Sequence, residues 1–195
     1  MTLNKHVLRK QFRTNRQTLS ELEQQSASRL LNSRIQQYCA SLRTPPKVIA
    51  TYLANDGEPS LTPFIHWGWE NEMHLMLPVI HPFTKGCIFF QRYQSSTIMH
   101  NNKFGIEEPK LNCHSLVPFH NIDIILMPLV AFDDNKNRLG MGGGFYDKSL
   151  ALAWKRKHRP KLVGIAHTNQ YCDQRLPCES WDIPLDNIIT PDYLI

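Results

Sequence analysis

Acidic residues are missing from two stretches of this 195-residue sequence. None precedes Glu21, and none falls between Lys148 and Cys172. The first gap leaves the N-terminal cations Lys5, Arg9, Arg13 and Arg16 without local salt-bridge partners. The second excludes a dinucleotide fingerprint around the glycine run that ends at Gly144, since that motif needs an acid roughly 20 positions after its glycines. No C-x-x-C pair occurs among the five cysteines, and no H-E-x-x-H spacing among the nine histidines. An odd, scattered set of thiols favours reduced cysteines in a cytoplasm over a disulfide frame or a zinc site. No apolar run approaches the ~20 residues that a membrane helix needs. The basic N-terminus lacks an apolar h-region, which argues against a secretory signal. Repeats, low-complexity segments and linkers are absent too, so one domain over residues 1–195 is expected.

What is present is an ordinary globular composition, 42% hydrophobic and 20% charged, with a net charge of +5. That charge suits a polyanion, but small anionic metabolites meet it as well as nucleic acid does. No aromatic RNA-binding signature, helix-turn-helix or zinc pattern accompanies it, so no nucleic-acid partner is expected.

The densest signal is Arg138-Leu139-Gly140-Met141-Gly142-Gly143-Gly144-Phe145-Tyr146-Asp147, with four glycines in five positions. Glycine leaves backbone N–H groups unshielded and permits φ > 0, so the chain can wrap an anion closely. Asp147 to Lys155 reads as a helix with apolar positions at 150, 153 and 154. A glycine loop entering a helix N-terminus suits phosphate through its free amides and the macrodipole. The glycines alone leave a mobile turn as an equally good reading. No Lys-Ser or Lys-Thr closes the run in the P-loop manner. Asp147 is a candidate Mg²⁺ ligand, or simply a residue favoured at a helix start.

Residues 4–16 read as a helix whose four cations share one quadrant beside Leu8 and Phe12. Taken alone, the stripe reads as a solvated face; the alternative is that some of its cations meet phosphates or carboxylates of a ligand. Ser20-Glu21-Leu22-Glu23 is a capping box opening a second helix, which Pro45-Pro46 closes. Val48–Leu53 reads as a buried strand, followed by the turn Asn55–Ser60. Glu58 there stands where ligands bind in open α/β sheets, although an acid in a turn is usually solvated. A helix from Pro63 to about Glu70, capped by Ser60 or Thr62, precedes strands at 73–79 and 87–93. Residues 94–120 are irregular, with 103–109 a loop able to fold over something. Ile122–Met127 and Leu162–Ala166 read as buried strands, and Ile188–Thr190 as a last one. The alternation predicts an α/β domain with a mostly parallel sheet covered by helices on both faces, a Rossmann-like three-layer arrangement. Cations, amides and a carboxylate together point to a nucleotide-using enzyme.

Met127-Pro128-Leu129-Val130-Ala131-Phe132-Asp133 followed by Arg138 through Asp147 resembles the signature of the 5-formyltetrahydrofolate cyclo-ligase family. Lys5-His6-Val7-Leu8-Arg9, Tyr52-Leu53 with Gly57-Glu58 and Thr62, Leu77-Pro78-Val79 and Trp181-Asp182-Ile183-Pro184 resemble its other segments in order. The resemblance implies ATP- and Mg²⁺-dependent closure of 5-formyltetrahydrofolate to 5,10-methenyltetrahydrofolate, with release of ADP and phosphate, by a monomer. It implies that Lys5, Arg9 and the stretch Arg138, Leu139, Gly140, Met141, Gly142, Gly143, Gly144, Phe145 and Tyr146 bind ATP. Lys5 and Arg138 would act on the transferring phosphoryl. Leu53, Glu58 and residues Met141 to Phe145 would meet the folate, and Asp147 and Asp182 would hold Mg²⁺. Many members carry Arg or Lys within the loop and Tyr-Tyr before the Asp. Met141, Gly143 and Phe145 depart from that pattern, which shifts the cationic role to Lys5, Arg9 and Arg138. A catalytically silent folate- or nucleotide-binding protein is the alternative reading.

Overall fold

The computed structural model describes residues 4–154 and 159–195. Four helices are present among them: α1 (Lys5–Gln17), α2 (Glu21–Ser41), α3 (Thr62–Glu70) and α4 (Phe145–Trp154). Strands β1 (Val48–Ala50), β2 (His74–Ile80), β3 (Ile88–Arg92), β6 (Leu116–Val117), β7 (Ile124–Pro128), β10 (Lys161–Ile165) and β11 (Asn187–Ile189) form one seven-stranded sheet. Its order is β11-β10-β7-β1-β2-β3-β6. Every pair from β11 to β2 is parallel, and the β2–β3 and β3–β6 pairs are antiparallel. Two small ribbons stand apart from it: β4 (Met99–Asn101) with β5 (Glu107–Pro109), and β8 (Ala131–Phe132) with β9 (Arg138–Leu139).

The period-2 geometry of the strands sorts the core into two layers. Ile49, Leu75, Ile124, Leu126, Val163 and Ile165 face the buried side of α2 and α3, meeting Leu31, Ile35 and Phe64. Ala50, Met76, Ile125, Met127 and Leu162 point the other way, toward Leu150 of α4. Helices therefore cover both faces, as a sheet buried on both sides requires.

Most elements lie where the pattern puts them. Ser20 and Glu23 form the reciprocal capping box of α2, which ends at Ser41, before the prolines. The ladder of β1 stops at Ala50 rather than Leu53, because the chain there turns out of the sheet toward Asn55. Helix α3 has Leu61 at its N-cap with no side-chain cap, in place of the expected Ser60 or Thr62; Pro63 supplies its start. Helix α4 begins at Phe145, two residues earlier than expected, so Asp147 sits inside its first turn. The expected apolar side chains at 153 and 154, and Lys155, lie outside the described residues.

Helix α1 packs Leu8 and Phe12 on Val130, Ala131 and Leu139, which places its cationic stripe at the carboxyl ends of the parallel strands. The β8–β9 hairpin is organised by Asp133. Its buried carboxylate accepts hydrogen bonds from the amides of Asn135, Asn137 and Leu176. The segment 133–137 is thus a hairpin turn that aims Arg138 and the glycines back across the strand ends.

Candidate active site

At those strand ends lies a cavity of about 800 Å³. One group of lining residues is apolar: Leu53, Leu77, Ile80, Ile88, Phe104 and Ile106. Another is charged: Lys5, Arg9, Arg138, Asp147, Glu179 and Asp182. Glu58 and residues 138–147 border the same space, so every residue singled out from the sequence for ligand or metal meets one cavity.

The glycine loop is shaped for an anion. Gly142 and Gly144 have φ of +98° and +66°, a conformation side chains resist. The amides of residues 140–144 donate no hydrogen bond among the described residues, and all five residues line the cavity. Around them, Arg9 Nε donates to Gly140 O at 2.8 Å, fixing the loop's entry. Arg138 Nη2 lies 2.6 Å from Asp147 Oδ1 and its Nη1 donates to Ile183 O. Lys5 Nζ bridges Asp182 Oδ2 (3.3 Å) and Glu179 Oε1 (3.4 Å).

Asp147 does not cap its own helix. Its Oδ1 accepts from Ile183 N at 3.1 Å, tying α4 to the segment that carries Asp182. Asp182 Oδ2 accepts from Glu179 N at 2.8 Å. Each carboxylate keeps its second oxygen without a hydrogen bond among the described residues. No group of three or more His, Cys, Asp or Glu forms a preformed metal cage among them. Two carboxylate oxygens without hydrogen bonds, beside a loop of unpaired amides, suit Mg²⁺, which characteristically takes few protein ligands and fills its shell with phosphate oxygens and water.

The cationic stripe is not a solvated face. Arg16 is fully buried. Its Nε and Nη2 donate to Asp56 O and Asp56 Oδ2, each at 2.8 Å, and Nη1 donates to Leu129 O at 3.1 Å. Arg13 pairs with the same Asp56 at 2.8 Å. The two guanidiniums hold the Asp56 carboxyl down at about 2. Glu58 is not a solvated turn residue either. Its side chain is 12% exposed, with Oε1 3.7 Å from Arg16 Nη1, and burial pushes its carboxyl up to about 7.

Residues 1–191 match the model of the 5-formyltetrahydrofolate cyclo-ligase family. The chain belongs to that family. Cyclo-ligase relatives include the 5-formyltetrahydrofolate cyclo-ligase of Haemophilus influenzae, 40% identical over 190 residues that cover 96% of this chain and 98% of that one. The Escherichia coli enzyme of the same name is 38% identical over 184 residues, covering 92% and 96%. Among solved structures, a 5,10-methenyltetrahydrofolate synthetase from Aquifex aeolicus superposes with a TM-score of 0.80 at 32% identity, covering 98% of this chain and 92% of that chain. One from Mycoplasma pneumoniae gives 0.76 at 25% identity, covering 97% and 99%.

Within this chain, the loop departures are coupled to each other. A Cβ at Gly143 would lie 2.7 Å from the Phe145 ring, so that ring fills the space a side chain at 143 would use. Phe145 in turn meets Phe104 edge-on, at 5.9 Å between ring centroids. Residues 103–109 thus lie against the glycine loop, an arrangement the sequence only suggested. Arg16, Asp56 and Phe104 were not singled out as site residues from the sequence. The position of Arg16 on the same quadrant as Lys5 and Arg9 was the available signal.

Proposed function

We propose that this chain closes 5-formyltetrahydrofolate to 5,10-methenyltetrahydrofolate at the expense of ATP, as a single-domain cytoplasmic monomer. The observation that carries the reading is the unpaired amide run at Gly140–Gly144, bracketed by Arg9, Arg138 and Lys5 at one end of an 800 Å³ cavity. The apolar remainder of that cavity suits a pterin and its aryl tail. The engagement of Arg13 and Arg16 with Asp56 supports a small-molecule site over a nucleic-acid surface. All five cysteines are free, which supports a reducing compartment. No described helix is long and apolar enough to cross a membrane.

A formamide oxygen is a poor leaving group. In the proposed reaction it attacks the γ-phosphorus of ATP, the bond to ADP breaks, and an iminium phosphate forms. N10 then bonds to the formyl carbon, the carbon–oxygen bond breaks, and phosphate departs with the N10 proton. Histidine is absent from the cavity lining among the described residues, and the leaving phosphate is itself basic enough to carry the proton away. Phosphoryl transfer asks the protein chiefly for positioning and charge stabilisation. The loop amides with Arg9 hold the phosphates, Arg138 and Lys5 meet the charge that develops on the γ-phosphoryl, and Leu53 and Glu58 orient the pterin. Asp147 and Asp182 would hold Mg²⁺, which would supply positive charge to offset that of the phosphates.

The reaction is tested with substrate carrying ¹⁸O in the formyl group. Transfer of one ¹⁸O per turnover into the released phosphate is expected. Unlabelled phosphate would rule out phosphorylation of the formyl oxygen.

A further inference from the structure

Arg16 is the one arginine of α1 with no access to solvent, and arginine is rarely so buried unless it is paired on every side. The turn after β1 is wound around it. Asp56 and Gly57 take φ of +52° and +76°, and a Cβ at Gly57 would stand 3.2 Å from Arg16 O. Gln24 Nε2 ties the two segments by donating to both Arg16 O and Gly57 O. With Asn55 and Asp56, Glu58 is among the residues this turn presents to the cavity. Its Oε2 accepts from Asn55 N at 3.1 Å, leaving Oε1 toward Arg16 Nη1. The other side of the guanidinium reaches the glycine loop, with Nη2 3.8 Å from Met141 Sδ.

We propose that Arg16 is the positioning residue of the folate end of the site, fixing the Asn55–Glu58 turn so that the Glu58 carboxylate meets the ligand's N–H donors. The proposal rests on the reading that Glu58 contacts the folate. Arg16 touches no cavity itself and acts through Glu58.

Charge adds to geometry. Burial disfavours the Glu58 carboxylate, and Arg16 is the cation that opposes it. The other groups facing Glu58 do not replace it. Asp56 in the same turn repels it, and the Tyr52 and Tyr146 phenols are themselves pushed up by desolvation. Arg13 is engaged by Asp56, and His167, near Arg16 and Gly57, is held neutral by burial.

The test compares Arg16→Gln, Arg16→Lys and Glu58→Gln, each alone and in combination. Arg16→Gln is expected to raise the KM for 5-formyltetrahydrofolate roughly tenfold, with the KM for ATP and kcat moving less than about threefold. The pH midpoint of folate binding should move upward, since the carboxyl has lost its cation. Arg16→Lys, which keeps the charge but not the planar fork, should restore the midpoint while leaving the KM raised. Combining either change with Glu58→Gln should add little. Equal effects on the ATP and folate parameters, or full additivity with Glu58→Gln, would overturn the proposal. An unchanged folate KM in Glu58→Gln alone would remove the underlying reading and the proposal with it. Should the Arg16 variants fail to fold, the wild-type protein serves. Its Arg16 Nε–H resonance should shift with the titration of the Glu58 carboxyl and again on adding 5-formyltetrahydrofolate. A signal fixed through both would overturn the proposal.

Discussion

Two buried ionisable groups, Glu58 at the cavity and His167 against Gly57, pull the stability of this protein in opposite directions. Glu58 is raised from 4.5 to about 7, so the unfolded chain ionises first, and the stability present below pH 4.5 is lost as pH rises toward 7. His167 is lowered from 6.5 to about 4 by burial, and its Nε2 has no hydrogen-bond partner among the described residues. Its contribution is complete above pH 6.5 and is lost as pH falls toward 4. Between pH 4.5 and 6.5 the two slopes oppose, so wild-type stability should be nearly flat there. Glu58→Gln removes one of them. Urea unfolding of that variant should show stability falling by up to about 3 kcal/mol as pH drops from 6.5 to 4. A variant whose pH dependence parallels wild type would contradict the assignment. At the phosphate end, Arg138→Ala should lower kcat/KM for ATP by about two orders of magnitude, because the developing phosphoryl charge loses a nearly buried donor. Asp147→Asn should depress turnover and raise the Mg²⁺ concentration needed for half-maximal rate. Mg²⁺ dependence identical to wild type would remove Asp147 from the metal.

Among the elements, the glycine loop makes the sharpest distinctions. A methyl at Gly140 meets nothing within 4 Å, and its φ is not positive. Gly140→Ala should therefore change stability by less than about 0.5 kcal/mol. Gly143→Ala would drive Cβ to 2.7 Å from the Phe145 ring and displace it from Phe104. The loop should shift, and the KM for ATP should rise several-fold in that variant but not through steric strain in Gly140→Ala. Equal kinetics in the two would show that the Phe145 ring does not shape the cradle.

The elements also show what was legible in the sequence. The Ser20 capping box and the apolar runs of β7 and β10 announced themselves because helix starts and buried strands depend on neighbouring residues alone. The stripe on α1 misled for the converse reason. The acid that buries Arg16 lies 40 positions away, in a turn that looked solvated because turns are locally polar. The short ribbon of β4 and β5 has three residues per strand and no alternation, so the packing of Phe104, in its connecting turn, on Phe145 had no local signature. Asp133 to Asn137 are locally polar, with nothing in their composition to announce a hairpin. They are the turn that aims the glycines, organised by the Asp133 carboxylate.

At the scale of the molecule, parallel strands set their carboxyl ends on one side, and the chain gathers there three segments distant in sequence: α1, the glycine loop and the 179–184 segment. The Lys5–Asp182 ion pair, the Arg9–Gly140 hydrogen bond, and the hydrogen bonds of Arg138 and Asp147 with the Ile183 backbone join those three. A site assembled this way can bring a phosphate cradle and an apolar cleft into one cavity. The measurement that tests this account most directly is the absorbance of purified protein mixed with 5-formyltetrahydrofolate and Mg²⁺, with and without ATP. The methenyl chromophore should appear only when ATP is present. Ligand binding seen by calorimetry without that chromophore would contradict the catalytic reading and mark the chain as a silent binder.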